Sequence, residues 1–332
     1  MKVSPVCRRG RKENIAGSSK GRTSLSESEN FGSIPSPAAN RSYTCIVIGN
    51  LLKYFLFALA VSSTSTAAIA SGPTLSVYPQ SVIQGEPIEI VVQNATTSSV
   101  KSISFDGKKL GVFSYQGLPT AFYGVDINQK PSIYKISVAL SGTTTLSASV
   151  TVGARQKIEM AFDIPESLGG NSTSSANTLV SALSQENAEL LKLGTNPRAL
   201  WTNKFTYPLS QIIVTDGYGY LRQTAGVSVT HKGTDFHASV GTPVMAMNRG
   251  VVRLAKRFTD YGNTIVVDHG LGLMTFYMHL SKINVSVGSL VKQGQVIGLS
   301  GQTGDALAPH LHISVRIGNI SIDPLKFMAF FK

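Results

Sequence analysis

Five of the chain's six histidines, His231, His237, His279, His310 and His312, fall in one stretch where they can meet; His269 is the sixth. Two short patterns bound the stretch: His231-Lys232-Gly233-Thr234-Asp235, an H-x-x-x-D, and His310-Leu311-His312, an H-x-H. Zinc takes four tetrahedral ligands, and a catalytic site leaves one of them to water. Both cysteines, Cys7 and Cys45, lie before residue 70, so His and Asp must serve as ligands. Residues i and i+2 of a strand share a face, so His310 and His312 would project together, roughly 7 Å apart at their Cα atoms. That suits one ligand and one neighbour that reaches the water. His231 and Asp235 can fold round one ion from a loop with Gly233 at its bend. A third strand, expected over 275–280, would place Thr275, Tyr277 and His279 on one face. These groups exceed what a closed structural site needs, and surplus imidazoles mark a hydrolase. A metal lowers the pKa of its water to roughly 7. One histidine can then take the proton while another stabilises the oxyanion or protonates the leaving amine.

The elements that must position these groups are mostly strands. Residues 205–332 show strand patterns at 244–247, 250–254, 264–268, 274–279, 296–300 and 311–317, punctuated by glycines and almost free of helical periodicity. They read as a C-terminal antiparallel β-rich domain. Residues 73–155 also read as short strands, at 88–92, 134–138 and 146–152, with a hairpin turn at Asp106-Gly107. That spacing predicts an immunoglobulin-like β-sandwich without site chemistry. Between them, 165–204 is a linker: a Gly/Ser run at 169–175, then one helix carrying Leu179, Leu183, Leu190 and Leu193, with Glu186 and Glu189 on other faces and Gly194 as its stop. The fold class expected is mainly β.

Residues 1–50 read as a disordered or mis-annotated extension, and 51–70 as a signal peptide: a Lys, a short apolar core, and Ala68-Ile69-Ala70 as the cleavage site. The apolar run over 45–61 is the alternative, an uncleaved membrane anchor. Nine Lys and Arg against three acidic residues fall in 1–70, which is half of the net +12. The remainder mildly favours an anionic surface such as a cell wall, and no nucleic-acid partner is expected. The export signal places the chain in the periplasm or cell envelope.

The histidine region resembles the lysostaphin-type (LytM) zinc metallo-endopeptidases that cut peptidoglycan cross-bridges. The likeness rests on His231-x-Gly233-x-Asp235-Phe236, Gly241-Thr242-Pro243-Val244, Asn263-Thr264, Asp268-His269-Gly270, Tyr277-x-His279-Leu280, Gly294-Gln295-x-Ile297-Gly298, Gly301-x-Thr303-Gly304 and Pro309-His310-Leu311-His312, and it covers about 205–325. The resemblance implies one Zn2+ per chain on His231, Asp235 and His312, with His279 and His310 handling the water proton and the developing charge. It implies peptidoglycan stem peptides as substrate. Ala306-Leu307-Ala308 stands where the family has a Gly before Pro309. Tyr218, Tyr220, Arg222 and Asn263 are possible substrate or oxyanion contacts; His237 and His269 read as structural. Competing readings are a catalytically silent wall-binding or hydrolase-activating protein and a biotinyl- or lipoyl-type carrier. The carrier lacks its acceptor Lys, since Asn248-Arg249 follows Met247, and it leaves the histidines unexplained.

Overall fold

The computed structural model describes residues 72–331 apart from 203. The expected extension (1–50), signal peptide (51–70) and possible anchor (45–61) lie outside the described residues.

Residues 74–153 fold as two sheets. One has the order β1 (Thr74–Tyr78), β3 (Pro87–Gln93), β7 (Leu118–Gly124), β6 (Phe113–Tyr115). The other runs β2 (Ser81–Ile83), β9 (Thr145–Gly153), β8 (Ser132–Leu140), β4 (Val100–Phe105), β5 (Lys108–Leu110). Alternation drives the pairing: β-branched residues at every second position turn one face inward. Ile88 and Ile90 of the first sheet and Ile103, Ile136 and Val138 of the second are fully buried in one shared core. Asp106 (φ 47°) and Gly107 (φ 81°) are both left-handed, as a two-residue hairpin turn between β4 and β5 requires.

The connection adds two elements. β10 (Glu159–Ala161) pairs in parallel with β12 (Leu221–Thr224), which forms a hairpin with β13 (Val227–Thr230). Helix α1 (Thr173–Leu190) starts at Ser172, whose side chain accepts from the Ser175 amide. It ends before the expected stop at Gly194. Glu186, expected on a face away from the leucines, is instead buried: its carboxylate accepts from the amides of Thr259, Asp260 and Tyr261. It lies three residues after Leu183 and four before Leu190, and so on their stripe.

The C-terminal part is organised by a large sheet with the order β11 (Val214–Asp216), β14 (Thr234–His237), β22 (His310–Ile317), β18 (Leu273–Leu280), β17 (Asn263–Gly270), β16 (Gly250–Arg257), β20 (Leu290–Val291); β23 (Ile320–Ile322) also pairs with β22. A smaller sheet joins β15 (Pro243–Met245), β21 (Val296–Leu299) and β19 (Lys282–Ile283). In β22, Leu311, Ile313, Val315 and Ile317 enter the main core, which leaves His312, Ser314 and Arg316 on the opposite face. The chain ends in a helix that helical periodicity did not reveal, α2 (Pro324–Phe330). Asp323 caps it, accepting from Leu325 and Lys326 amides, and Pro324 occupies its first position. Seven residues are too few for a periodic signal, but the Asp-Pro pair was one.

Candidate metal centre

Strand pairing brings the two histidine patterns together. In β14 against β22, Asp235 lies directly opposite His312 and His237 opposite His310. Antiparallel partners share a face, so a carboxylate and an imidazole project side by side. His231, in the turn between β13 and β14, completes the group. His231 Nε2, Asp235 Oδ1 and His312 Nδ1 stand 2.7–3.2 Å from one another. All three residues are buried. Gly233 is needed for close approach rather than for its bend: a Cβ there would lie 2.3 Å from His312 Nε2 and 2.6 Å from Ile313 O.

The partners on the far side of each ring decide what this triangle can hold. His231 Nδ1 donates to Gly217 O at 2.8 Å. Ser314 Oγ donates to Lys232 O and therefore accepts from His312 Nε2. Each ring's proton is thus directed outward, and its inner nitrogen faces the triangle as a lone pair. Burial lowers the His312 pKa to about 4, which keeps the ring neutral. Burial alone would raise the Asp235 carboxyl, but the two imidazoles bring it well below its usual value, so it is ionised. Three donor atoms converging on one point, from rings whose other nitrogens are bonded outward, form a set that can hold a cation. Zinc ligands at about 2.0–2.1 Å in a tetrahedron stand roughly 3.3 Å apart, close to these separations. The donor set therefore fits a zinc ion.

Two further imidazoles face the same space. The His279 ring centroid is 4.7 Å from that of His310 and 6.0 Å from that of His312. His279 Nδ1 donates to Thr303 O and His310 Nδ1 to Ala308 O, so both present Nε2 inward. His310 Nε2 lies 3.9 Å from Asp235 Oδ1. Burial lowers the His279 pKa to about 3, reinforced by the neighbouring imidazoles of His310 and His312. The expectation that His279 shares a face with Thr275 and Tyr277 fails. Tyr277 Oη, bonded to the Met247 amide, lies in the core on the other side of the sheet. His279 has φ +59°, left-handed for a non-glycine residue, at the irregular end of the β17–β18 pairing. That conformation turns its ring across the sheet toward His312.

Of the possible substrate contacts, Tyr218 and Asn263 are committed elsewhere. Tyr218 Oη donates to Ser321 O, and its ring packs under Arg155. Asn263 Nδ2 donates to Leu280 O. Arg222 is mostly buried: its Nη2 donates to Asp235 Oδ2 at 2.5 Å, and its Nε to Asp216 Oδ2 at 2.7 Å. Its Nε and Nη2 are thus held by carboxylates of the chain itself. Tyr220 lies beside Gly217, whose carbonyl orients His231. His237 is exposed and outside the cluster, and His269 is bonded to Arg249 O and Thr275 Oγ1 within the core. Asp216, Gly217, Ser314, Thr303 and Ala308 were missed. Ser314 alone left a trace, as the next residue in the i+2 series after His312; a backbone carbonyl leaves none.

Residues 229–324 match peptidase family M23. The chain carries a peptidase family M23 domain. A domain of this family is a metallopeptidase domain. The peptidoglycan DD-endopeptidase ShyB of Vibrio cholerae is 27% identical over 329 residues, which is 88% of this chain and 77% of that protein. The glycyl-glycine endopeptidase ALE-1 of Staphylococcus capitis is 39% identical over 141 residues, 40% of this chain and 36% of that protein. A solved structure described as a peptidase M23 from Pseudomonas aeruginosa matches with a TM-score of 0.56 at 25% identity, over 74% of this chain and 94% of that one.

Proposed function

We propose that the chain is an exported zinc endopeptidase that hydrolyses peptide cross-links of peptidoglycan. The observation that carries this is the triangle of outward-protonated rings. His231 Nε2, Asp235 Oδ1 and His312 Nδ1 would hold one Zn2+, and Arg222, Gly217 and Ser314 orient them. When bound, the ion supplies Lewis acidity and makes water a nucleophile near neutral pH. His310 Nε2 takes the proton of the attacking water. That proton passes from His310 to the leaving amine, and His279, kept neutral by burial with its own Nε2 turned to the same space, is the second member of the pair that handles the proton. The retention of all five groups favours an enzyme over a silent wall-binding protein. The ShyB match, which extends over most of the chain, favours stem-peptide cross-links over glycine bridges. In this reading the two-sheet region is an immunoglobulin-like spacer over 73–155, followed by the linker (165–204) and the peptidase domain (205–332). The segment 51–70 exports the chain to the periplasm or envelope.

Digestion of purified sacculi followed by mass spectrometry of the muropeptides tests this. Loss of cross-linked dimers with a gain of monomers is the expected outcome. Unchanged dimers in the presence of zinc would refute the activity.

A further inference from the structure

The cavity at the metal centre, about 390 Å³, extends along the face of β22 past Ser314 to Arg316. Its walls include Tyr261, Met278 and, from α1, Leu183 and Asn187. Arg316 lies four residues from His312 on the same face, roughly 13 Å away at Cα by strand rise. It is 6% exposed, stacked 4.6 Å above the Phe276 ring, and its Nη2 donates to Asn187 Oδ1 at 2.7 Å. Nε and Nη1 have no hydrogen-bond partner, and among the described residues no carboxylate pairs with the guanidinium. Burial lowers its pKa, as it does for a cation that no anion compensates. A buried guanidinium with two idle nitrogens is costly, because each unmade charged hydrogen bond forfeits hydration without return. Every other buried charged group in this cavity is either bonded or a member of the metal triangle, except the carboxyls of Asp260 and Asp305. The fork of Arg316 matches a carboxylate, and Asn187 offers it one neutral oxygen.

We propose that Arg316 anchors a free carboxylate of the peptide substrate, and that the Asn187 side chain on α1 is the neutral placeholder which that carboxylate displaces. This rests on the peptidase reading above and adds a specificity determinant to it. Substrates with a free carboxylate near the cleaved bond are then selected over amidated ones. Entry of the carboxylate requires α1 to yield at Asn187, since Nε and Nη1 are sealed from solvent while it is seated.

The test uses the full chain stripped of metal, so that nothing is turned over. Binding is measured for cross-linked stem-peptide dimers with free carboxylates and for the same dimers with their carboxylates amidated. The expected result is at least roughly tenfold tighter binding of the free form, the scale of a charge-assisted bidentate pair. Arg316→Gln should bind both forms alike, and Arg316→Lys should keep a reduced preference. Asn187→Asp would place a carboxylate on the guanidinium permanently and should weaken binding of the free form while raising the melting temperature; a residue with only a packing role would not respond in this way. Equal binding of the two forms by the parent, or an undiminished preference in Arg316→Gln, overturns the proposal. If Arg316→Gln does not fold, Arg316→Lys decides, and a full parental preference there overturns it. Hydrolysis of sacculi by the zinc-loaded chain without any carboxylate preference sinks this inference alone. A preference without hydrolysis sinks the peptidase reading and leaves the anchor standing.

Discussion

Between β1 and β9 the buried residues are aliphatic and aromatic, with Thr120 the one polar side chain among them; in and around the large sheet, burial also takes in His231, Asp235, Asp260, His279, His312 and Arg316. Both regions use the same device, antiparallel strands with one face turned inward. They differ in what they accept in return for burial. An apolar side chain contributes roughly 1.5–3 kcal/mol when buried, whereas a charged one is costly unless paired. The two-sheet region packs on itself apart from Phe113 and Phe122, which join Trp201 and Phe331 in the main core. The large sheet carries that core on one face, and on the other the His231, Asp235 and His312 triangle and a guanidinium with two unbonded nitrogens. Substitutions in the two regions should therefore fail in different ways.

The sharpest break is His312→Ala, which removes one of three converging donors. Metal binding and hydrolysis should be lost together, by metal analysis and sacculus digestion, with the melting temperature of the metal-stripped chain little changed. His310→Ala should keep the metal and lose roughly 10²-fold or more in rate, the magnitude of general acid–base catalysis. Retained rate in that variant would remove His310 from the proton transfer. Arg222→Ala releases Asp235 and leaves Asp216 facing it without a cation; metal affinity should fall about 10–100-fold by competition with a chelator. The contrasting substitution is Ile136→Ala, fully buried between the two small sheets. It should cost about 2–5 kcal/mol in denaturant unfolding while metal stoichiometry stays at one per folded chain. A loss of metal from folded Ile136→Ala would erase the distinction drawn between the regions.

The smallest effect expected is a pH dependence. Burial raises the Asp260 carboxyl to about 7, helped by the charges of Glu186 and Asp305, and burial raises Asp305 to about 6. The folded chain thus holds these protons more tightly than the unfolded chain. Their contribution to stability is complete below the ordinary carboxylate pKa and is lost as pH rises through the folded values. Buried His269, His279 and His312, lowered to about 4, 3 and 4, act in the opposite sense, so the carboxyl contribution is isolated by comparison with Asp260→Asn. Between about pH 4 and 7 the melting temperature of metal-stripped Asp260→Asn should rise relative to that of the parent, and the difference should level off above. A difference that shrinks as pH rises over that interval would contradict the burial argument.

Much of the site was legible because it is written in side chains at fixed spacings. H-x-H on a strand and H-x-x-x-D at a strand entry need only the period of two and one antiparallel register to converge. The placement of His279 was not legible. All eight residues of β18 are buried, so no alternation marks its faces, and a left-handed residue reverses the direction the period would give. The bond that Arg222 makes to Asp216 was not legible because the two lie six residues apart across a turn, outside any helical or strand spacing. Glu186 was misplaced because the three amides it accepts come from a loop more than seventy residues further on. The two-sheet region, with clean alternation and an Asp-Gly turn, was the easier part to read, and it carries the least chemistry.

The central claim is that His231, Asp235 and His312 hold one zinc ion on which hydrolysis depends. Its most direct test is titration of the metal-stripped chain with zinc while hydrolysis of cross-linked dimers is followed. Activity should rise linearly and saturate at one zinc per chain, with no rise in His312→Ala. Full activity in the stripped chain, or an unchanged titration in His312→Ala, would contradict it.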